Sequence, residues 1–400
     1  MLSYDKNILI ERIVIFTTLF LVLSAVIIQY MPDYKLTIIF YMSIVYFSAA
    51  FSTLAQHIVA RKRNASYSAL LASLCILFSI FIFRNGNAVD DINYQTVFFQ
   101  TIKRGASETF LVSSTEPGYL LILACISRFT QDYFWVQFIT GVIPLLIIYK
   151  AIVLFENKIH WGVFVLFLST CFFFQMVSIN LSRMFIALAI SLVALFYIME
   201  NKEKKGVAYI ALATLFHYSA LVMILTVIVV RMGRKKRFSQ AKLMAFVIIT
   251  PVVLVVATKL GSSIVLRYSD YTTSTNFSVS EIINSMTRIP LLLIIVYFKQ
   301  FISDFEKKER VRILQYVYTM GVIIKLCSIF SVPQRLVYYF DFVSFICSAE
   351  LYMNIKNENK RKLLLILFTL LGGFFLLRTQ FLNPQQSSIL FPYIGRFLKV

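Results

Sequence analysis

The chain is predicted to be an all-α polytopic integral membrane protein, with about eleven transmembrane helices and a re-entrant helical hairpin over residues 206–230. Three observations lead there. Of the 400 residues 59% are hydrophobic and only 14% are charged, with a mean hydropathy of +0.78, a composition that belongs to membrane-embedded chains. Apolar runs long enough to cross hydrocarbon recur along the sequence. Runs such as FVLFLSTCFFF and KLLLILFTLLGGFFLL are continuously apolar, whereas barrel strands alternate, so the spanning elements are helices.

The opening residues MLSYDKNILIER lead into an apolar run with no small-residue cleavage site, so the first span is read as retained at 13–30. Further spans are expected at 36–57, 67–83, 133–155, 161–178, 183–199, 241–258, 287–302, 312–330, 336–353 and 362–378. The stretch YLLILACISRF (119–129) would reach only about 16 Å as a helix, half the hydrocarbon thickness, and is read as interfacial or partly inserted.

Residues 206–230 decide the topology. A single crossing there would place RMGRKKR, SDFEKKERVR and KNENKRK outside, against the positive-inside rule. A hairpin that enters and leaves on one side keeps all of these in the cytoplasm; the rival reading is an ordinary long helix with an irregular basic outer loop. Two full helices need about 40 residues, so each arm is only about 18 Å long, with His217 at the tip. Backbone that turns at membrane depth must be buried in protein or line a wet cavity. The N-terminus is then cytoplasmic and the C-terminus outside. The outer face receives three longer segments: 84–132 with its interfacial helix, 259–287, and the tail 379–400. With no linker, low-complexity tract or internal repeat, residues 1–400 are read as a single transmembrane domain.

The net charge of +20 follows from the basic inner loops and does not call for nucleic acid. The five cysteines (75, 125, 171, 327 and 347) lie in apolar runs with neither CxxC nor Cys/His clusters, which argues against both a disulfide frame and a metal site. No Walker, GxSxG, HExxH or Rossmann pattern is present, so nucleotide or NAD chemistry is not expected.

The expected outer face collects arginines at helix ends: Arg84, Arg183, Arg288, Arg335 and Arg378. One such arginine could simply anchor at the interface, but five on the disfavoured side suit a phosphate-bearing ligand, which guanidinium grips in a bidentate fork. Arg183, in SINLSRMFIALAISL, sits in a tight turn between two apolar runs and is expected to point into the bundle or its mouth. The loop acids Asp90, Asp91, Glu108 and Glu116 offer a general base or a loop-structuring role, for example Asp90 against Arg84. Asp90-Asp91 lacks DxD spacing and no His or Cys completes a ligand set, so no metal is expected. His217 could serve in acid/base chemistry, bind phosphate, or be satisfied by a carbonyl. Lys325 and Asp341 are expected to neutralise each other in the interior.

RNGNAVDDINY (84–94), EPGY (116–119), NLSRMFIALAISL, ATLFHYSAL, PQRLVYYF (333–340) and FPYIG occur in an order that resembles the EpsG family of surface-polysaccharide polymerases, which includes Wzy-type O-antigen polymerases. The chain departs from the family pattern at Met184 and at Ala88-Val89, while Arg183, Asp90 and Tyr94 are kept. The resemblance implies a glycosyltransferase of GT-C-like, lipid-donor architecture in the bacterial inner membrane. It would transfer a growing glycan from undecaprenyl pyrophosphate to the non-reducing sugar of a new lipid-linked repeat, at the periplasmic face and without metal or other cofactor. Donor and acceptor would be undecaprenyl-pyrophosphate-linked oligosaccharides, and a chain-length regulator and a flippase would be protein partners. On that footing Arg183 and Arg335 contact pyrophosphate with Arg84 or Arg288 assisting, Asp90 or Glu116 is the base, and His217 holds a phosphate oxygen or relays a proton. An O-antigen ligase, another lipid-donor glycosyltransferase, a repeat-unit flippase or an acyltransferase remain alternatives.

Overall fold

A computed structural model describes residues 35–58, 63–82, 90–113, 115–173, 181–234, 241–250, 253, 285–327 and 334–382. Among the described residues the secondary structure is entirely helical, as continuous apolar runs demand where backbone groups must be satisfied within their own segment. In chain order the helices are α1 (Lys35–Ile58), α2 (Arg63–Ile82), α3 (Asp91–Arg104), α4 (Ala106–Val112), α5 (Pro117–Ser127), α6 (Phe134–Leu154), α7 (Trp161–Phe167) and α8 (Ser182–Met199). They continue with α9 (Glu203–Thr214), α10 (Ile224–Arg234), α11 (Ala241–Thr250), α12 (Ile289–Phe298), α13 (Phe305–Cys327), α14 (Val337–Asn354) and α15 (Glu358–Leu382).

These helices fall on ten of the expected spans. The eleventh, 13–30, lies outside the described residues, as does Arg84. Among the described residues two helices, Phe134–Leu154 and Ser182–Met199, are long and apolar enough to cross a bilayer by length and composition, each with a mean hydropathy of 2.0. Ala241–Thr250 is described over a shorter length than the span expected there.

The chain divides into two compact units. The first comprises residues 1–190, 215–218 and 365–400. In it α1 packs on α2 and α7, and α2 packs on α6. Small residues permit the close approach, as between membrane helices generally. The hydroxyls of Ser52 and Ser73 meet at 2.7 Å, and Ser73 also donates to the Ser48 carbonyl at 2.7 Å. A Cβ at Gly162 would lie 2.8 Å from the Ala49 carbonyl. At one end of this bundle Arg63 and Tyr67 both donate to Glu156, at 3.0 and 2.8 Å, and Gln56 bonds the backbone of Ile159 and Trp161.

The segment 84–132, read from sequence as a loop with one interfacial helix, carries three helices. The helix expected over 119–129 is α5. The additional pair includes α3, which buries Asp91, Tyr94, Phe98 and Thr101, one stripe at helical spacing, while Ile92 and Phe99 stay exposed beside its polar residues. Tyr94 and Phe98 join Tyr119, Leu123, Ile126, Tyr133 and Val136 in a single apolar cluster, so α3, α5 and the start of α6 share a core.

The second unit comprises residues 191–214 and 219–364. Its centre is the α13–α14 pair, where Gly321 lies against Phe340 so closely that a Cβ would sit 2.2 Å from the phenylalanine Cβ. Helix α10 packs on α13. The stretch 206–230 is two arms: α9 ends at Thr214, the chain turns, a 3₁₀ turn runs over Tyr218–Met223, and α10 follows.

The ends of the two arms meet. The Arg234 guanidinium, in the last turn of α10, donates to the carbonyls of Ile198 at 2.9 Å and of Met199, and to the Asn201 side chain at 2.5 Å. Those carbonyls have no partner within their own helix, so the arginine caps the C-terminus of α8 while tethering the far end of the hairpin beside its beginning. Arg310 joins the same end of the unit, bonding Glu200 at 2.9 Å and Glu350 at 2.7 Å. Burial opposes the Arg310 charge, but the carboxylates of Glu350 and Glu200 outweigh it and hold the guanidinium above its ordinary value. Residues beside three of the basic stretches, Asn201, Arg234 and Arg310, thus lie at one end of this unit.

Candidate functional site

In the first unit the site is built around Arg183, in the first turn of α8. Its Nη1 donates to the Glu116 carboxylate and its Nε donates to the Tyr94 hydroxyl at 3.2 Å. The guanidinium carbon lies 5.3 Å from the Tyr94 ring centroid, a cation–π placement that fixes the plane of the fork. The arginine side chain is 18% exposed and that of Glu116 6%, so each charge depends on the other for compensation.

Glu116 immediately precedes α5 in extended conformation, with φ −64° and ψ 143°. Pro117 then occupies the first helical position, where its fixed φ suits the start of a helix and its missing N–H costs nothing. The Glu116 side chain does not cap its own helix and is directed to Arg183.

One of the free N–H groups at the start of α5, that of Gly118, donates to the Leu215 carbonyl at 2.8 Å. Leu215 directly follows α9, whose last carbonyls also lack intrahelical partners. The contact is tight: a Cβ at Gly118 would lie 2.9 Å from that oxygen and 3.2 Å from the Phe216 ring. The hairpin tip carrying His217 is therefore seated on the Glu116–Gly118 segment, with His217 half-buried at the break between α9 and the 3₁₀ turn.

Asp90 is half-buried ahead of α3, its carbonyl accepting from the Tyr94 amide at 3.1 Å. Asp91 is fully buried and accepts from the Tyr133 hydroxyl at 3.3 Å, a bond that ties α3 to the start of α6. The two adjacent acids therefore occupy different environments. No group of three or more metal-ligating side chains occurs among the described residues.

In the second unit Arg288 precedes α12, and Asp341, which the sequence pairs with Lys325, carries Arg288 in a bidentate ion pair. Nε and Nη2 reach the two carboxylate oxygens at 2.7 and 2.5 Å, and the side chains are 11% and 13% exposed. The Arg288 carbonyl accepts from the Tyr318 hydroxyl at 3.1 Å. Lys325 is buried in the last turns of α13. Arg335 lies on the 3₁₀ turn ahead of α14 and is half-buried. Ser219, in the hairpin, donates to the Tyr339 hydroxyl at 3.2 Å.

Among the expected residues, the structure brings together Arg183 and Glu116 and seats the His217 turn beside them. It makes Tyr94, noted in the sequence as a residue of this loop, a partner of Arg183, and it adds Gly118, which sequence reasoning did not place in the site. The signals for them were the aromatic residue inside DINY and the Pro-Gly pair after Glu116.

A family profile described as the EpsG family matches residues 67–394. The chain belongs to the EpsG family. Searches of curated proteins and of solved structures each return no match. The matched region contains every described residue of the Arg183 site and of the Arg288–Asp341 pair, so both arrangements belong to the EpsG region of the chain. EpsG membership associates the protein with exopolysaccharide biosynthesis, and together with the two candidate spans it points to a membrane protein.

Proposed function

We propose that the protein is a polymerase of lipid-linked oligosaccharide repeats. It transfers the growing glycan from undecaprenyl pyrophosphate to the non-reducing sugar of a new lipid-linked repeat at the outer face of the bacterial inner membrane. The observation that carries this reading is the Arg183–Glu116–Tyr94 cluster seated on the hairpin tip in an EpsG chain. A cation and a carboxylate in contact are the two groups that displacement of a pyrophosphate by a sugar hydroxyl requires.

Charge grows on the leaving pyrophosphate in the transition state, and a preorganised guanidinium stabilises it more strongly than it stabilises the ground state. Arg183 and Arg335 each serve as a contact for a lipid pyrophosphate. The Arg288 fork is committed to Asp341, which leaves that arginine a supporting role. Glu116 accepts the proton of the attacking hydroxyl, with Asp90 as the other acid able to do so. His217 holds a phosphate oxygen or relays a proton.

The topology belongs to the same proposal: about eleven crossings and a re-entrant hairpin, with the N-terminus cytoplasmic and the C-terminus periplasmic. The meeting of Asn201, Arg234 and Arg310 at one end supports it, because the basic stretches they belong to would then share a membrane face.

In a deletion strain complemented with Arg183→Ala or Arg335→Ala, surface glycan should stop at single repeats while the protein remains in the membrane. Normal ladders from both variants would overturn the site. Complete loss of surface glycan in the deletion strain would favour a flippase, and full-length lipid-linked glycan a ligase. A cysteine replacing Lys236 should resist an impermeant thiol reagent in intact cells, and labelling there would overturn the hairpin.

A further inference from the structure

We propose that Glu116 is an exchangeable counter-anion of Arg183: a polyprenyl diphosphate displaces it from the guanidinium, and only the displaced carboxylate is free to take the acceptor proton. Tyr94 is the positioning residue that holds the arginine during the exchange. The inference rests on the polymerase reading above and concerns the same site.

The two partners of Arg183 differ in how firmly they are held. Tyr94 is 5% exposed, lies within α3, packs against Tyr119 with ring centroids 5.2 Å apart, and contacts the arginine through both its hydroxyl and its ring face. Moving it would disrupt the apolar cluster shared by α3, α5 and α6. Glu116 lies outside the helix that follows it, makes its bond through a flexible side chain, and contacts Nη1 alone. Rotating that side chain breaks the ion pair without moving any helix.

A diphosphate brings more negative charge than a carboxylate and offers oxygens at the spacing of the guanidinium fork. A diphosphate and a carboxylate on one half-buried cation repel each other at short range and low dielectric, more strongly than the two carboxylates that share Arg310, because the diphosphate carries the higher charge. The ligand therefore takes the arginine and expels Glu116.

The order of events has a chemical consequence. While Glu116 is bonded to Arg183, its carboxylate is occupied by the guanidinium and is not presented to an acceptor hydroxyl. Once the donor is bound, the free carboxylate removes the proton from the acceptor hydroxyl and the hydroxyl oxygen bonds to the anomeric carbon. The bond between that carbon and the phosphate oxygen breaks, and its electron pair leaves on the diphosphate beside Arg183. Base activity is thus coupled to occupancy by donor.

Farnesyl diphosphate binding to the purified full-length protein in nanodiscs tests the exchange. Glu116→Gln should lower Kd by roughly tenfold, the effect of removing one competing charge from a partly screened site. Tyr94→Phe, which keeps the ring and loses the hydroxyl, should raise Kd several-fold at unchanged expression. If Glu116→Gln does not yield folded protein, the wild type suffices: carbodiimide-directed amine labelling of Glu116, read by mass spectrometry, should rise when farnesyl diphosphate is added. Labelling that stays constant or falls, or a Glu116→Gln Kd equal to or weaker than wild type, overturns the exchange. If wild-type binding is lost in Arg183→Ala while those exchange tests fail, the diphosphate reading survives without it. If the wild type does not bind farnesyl diphosphate, both fall.

Discussion

Gly118→Ala is the substitution whose sign depends on the seating of the hairpin tip. Gly118 lies in the first turn of α5, and its backbone does not require positive φ. In an ordinary helix, alanine there should stabilise by roughly 1 kcal/mol, since glycine is the poorer helix former. In this structure the new methyl group would lie 2.9 Å from the Leu215 oxygen, 3.1 Å from its carbonyl carbon and 3.2 Å from the Phe216 ring. Two of those three atoms are backbone, so the tip has to retreat by about half an ångström to restore ordinary contact. The 2.8 Å bond from the Gly118 amide lengthens with it. Overpacking costs about 1–3 kcal/mol and the weakened bond about 1 kcal/mol, which together outweigh the helix propensity gain. The net expectation is a modest loss of stability. The effect on function should be larger, because misplacement by about 1 Å beside reacting groups can cost on the order of 100-fold in rate, and about half that displacement on the order of tenfold. Thermal unfolding of the purified protein, read beside the surface-glycan ladder of a complemented deletion strain, measures both. A variant that is more stable than wild type and produces a normal ladder would show that the tip does not rest on Gly118.

Two further substitutions test the ion pairs of the second unit. Arg288→Ala strands the Asp341 carboxylate in a nearly dry site and should destabilise by about 3–5 kcal/mol, whereas the double change Arg288→Met with Asp341→Leu should restore most of that loss. Equal destabilisation by the single and double variants would remove the structural role assigned to the pair. Arg234→Ala deletes the cap on α8 and the tether between the hairpin ends, at a cost of about 1.5–3 kcal/mol for its charged hydrogen bonds. Hydrogen exchange should accelerate across Ile224–Arg234 while α14 stays protected, and uniform exchange in both helices would refute the tether.

The parts of this fold legible in sequence are those with strong local patterns. Continuous apolar runs located the helices of both units to within a few residues at most boundaries, because burial of an entire segment leaves no polar periodicity to obscure it. The break at His217 was visible through charge alone, since KKG at one end and RMGR at the other could not sit on opposite faces without penalty. Helices α3 and α4 were not legible as helices. The sequence DINYQTVFFQTIKR is polar on average, and only the stripe through Asp91, Tyr94, Phe98 and Thr101 marks its buried face. Such a stripe is indistinguishable from an irregular loop until α5 is known to lie against it.

Pairing was the least legible feature, for a physical reason that also separates the arginines by role. A charge in a low-dielectric site requires a counter-charge, but nothing local specifies where along the chain that partner lies. Arg183 finds Glu116 at a separation of 67 residues and Arg288 finds Asp341 at 53, while Lys325, the nearer candidate for Asp341, is buried in the same unit. The form of each pair then differs. Asp341 fills the Nε–Nη2 edge of Arg288 with both of its oxygens, the geometry in which guanidinium would otherwise hold phosphate. Glu116 takes a single nitrogen of Arg183, and the opposite anchor is a neutral tyrosine. An arginine whose fork is filled by an aspartate on a helix has no edge left for a ligand, and one held by a tyrosine with a glutamate on a single nitrogen is the one for which exchange is proposed. Sequence supplied the set of arginines, and the geometry of their partners is what the proposal rests on when it gives Arg183 to the ligand and Arg288 to the fold.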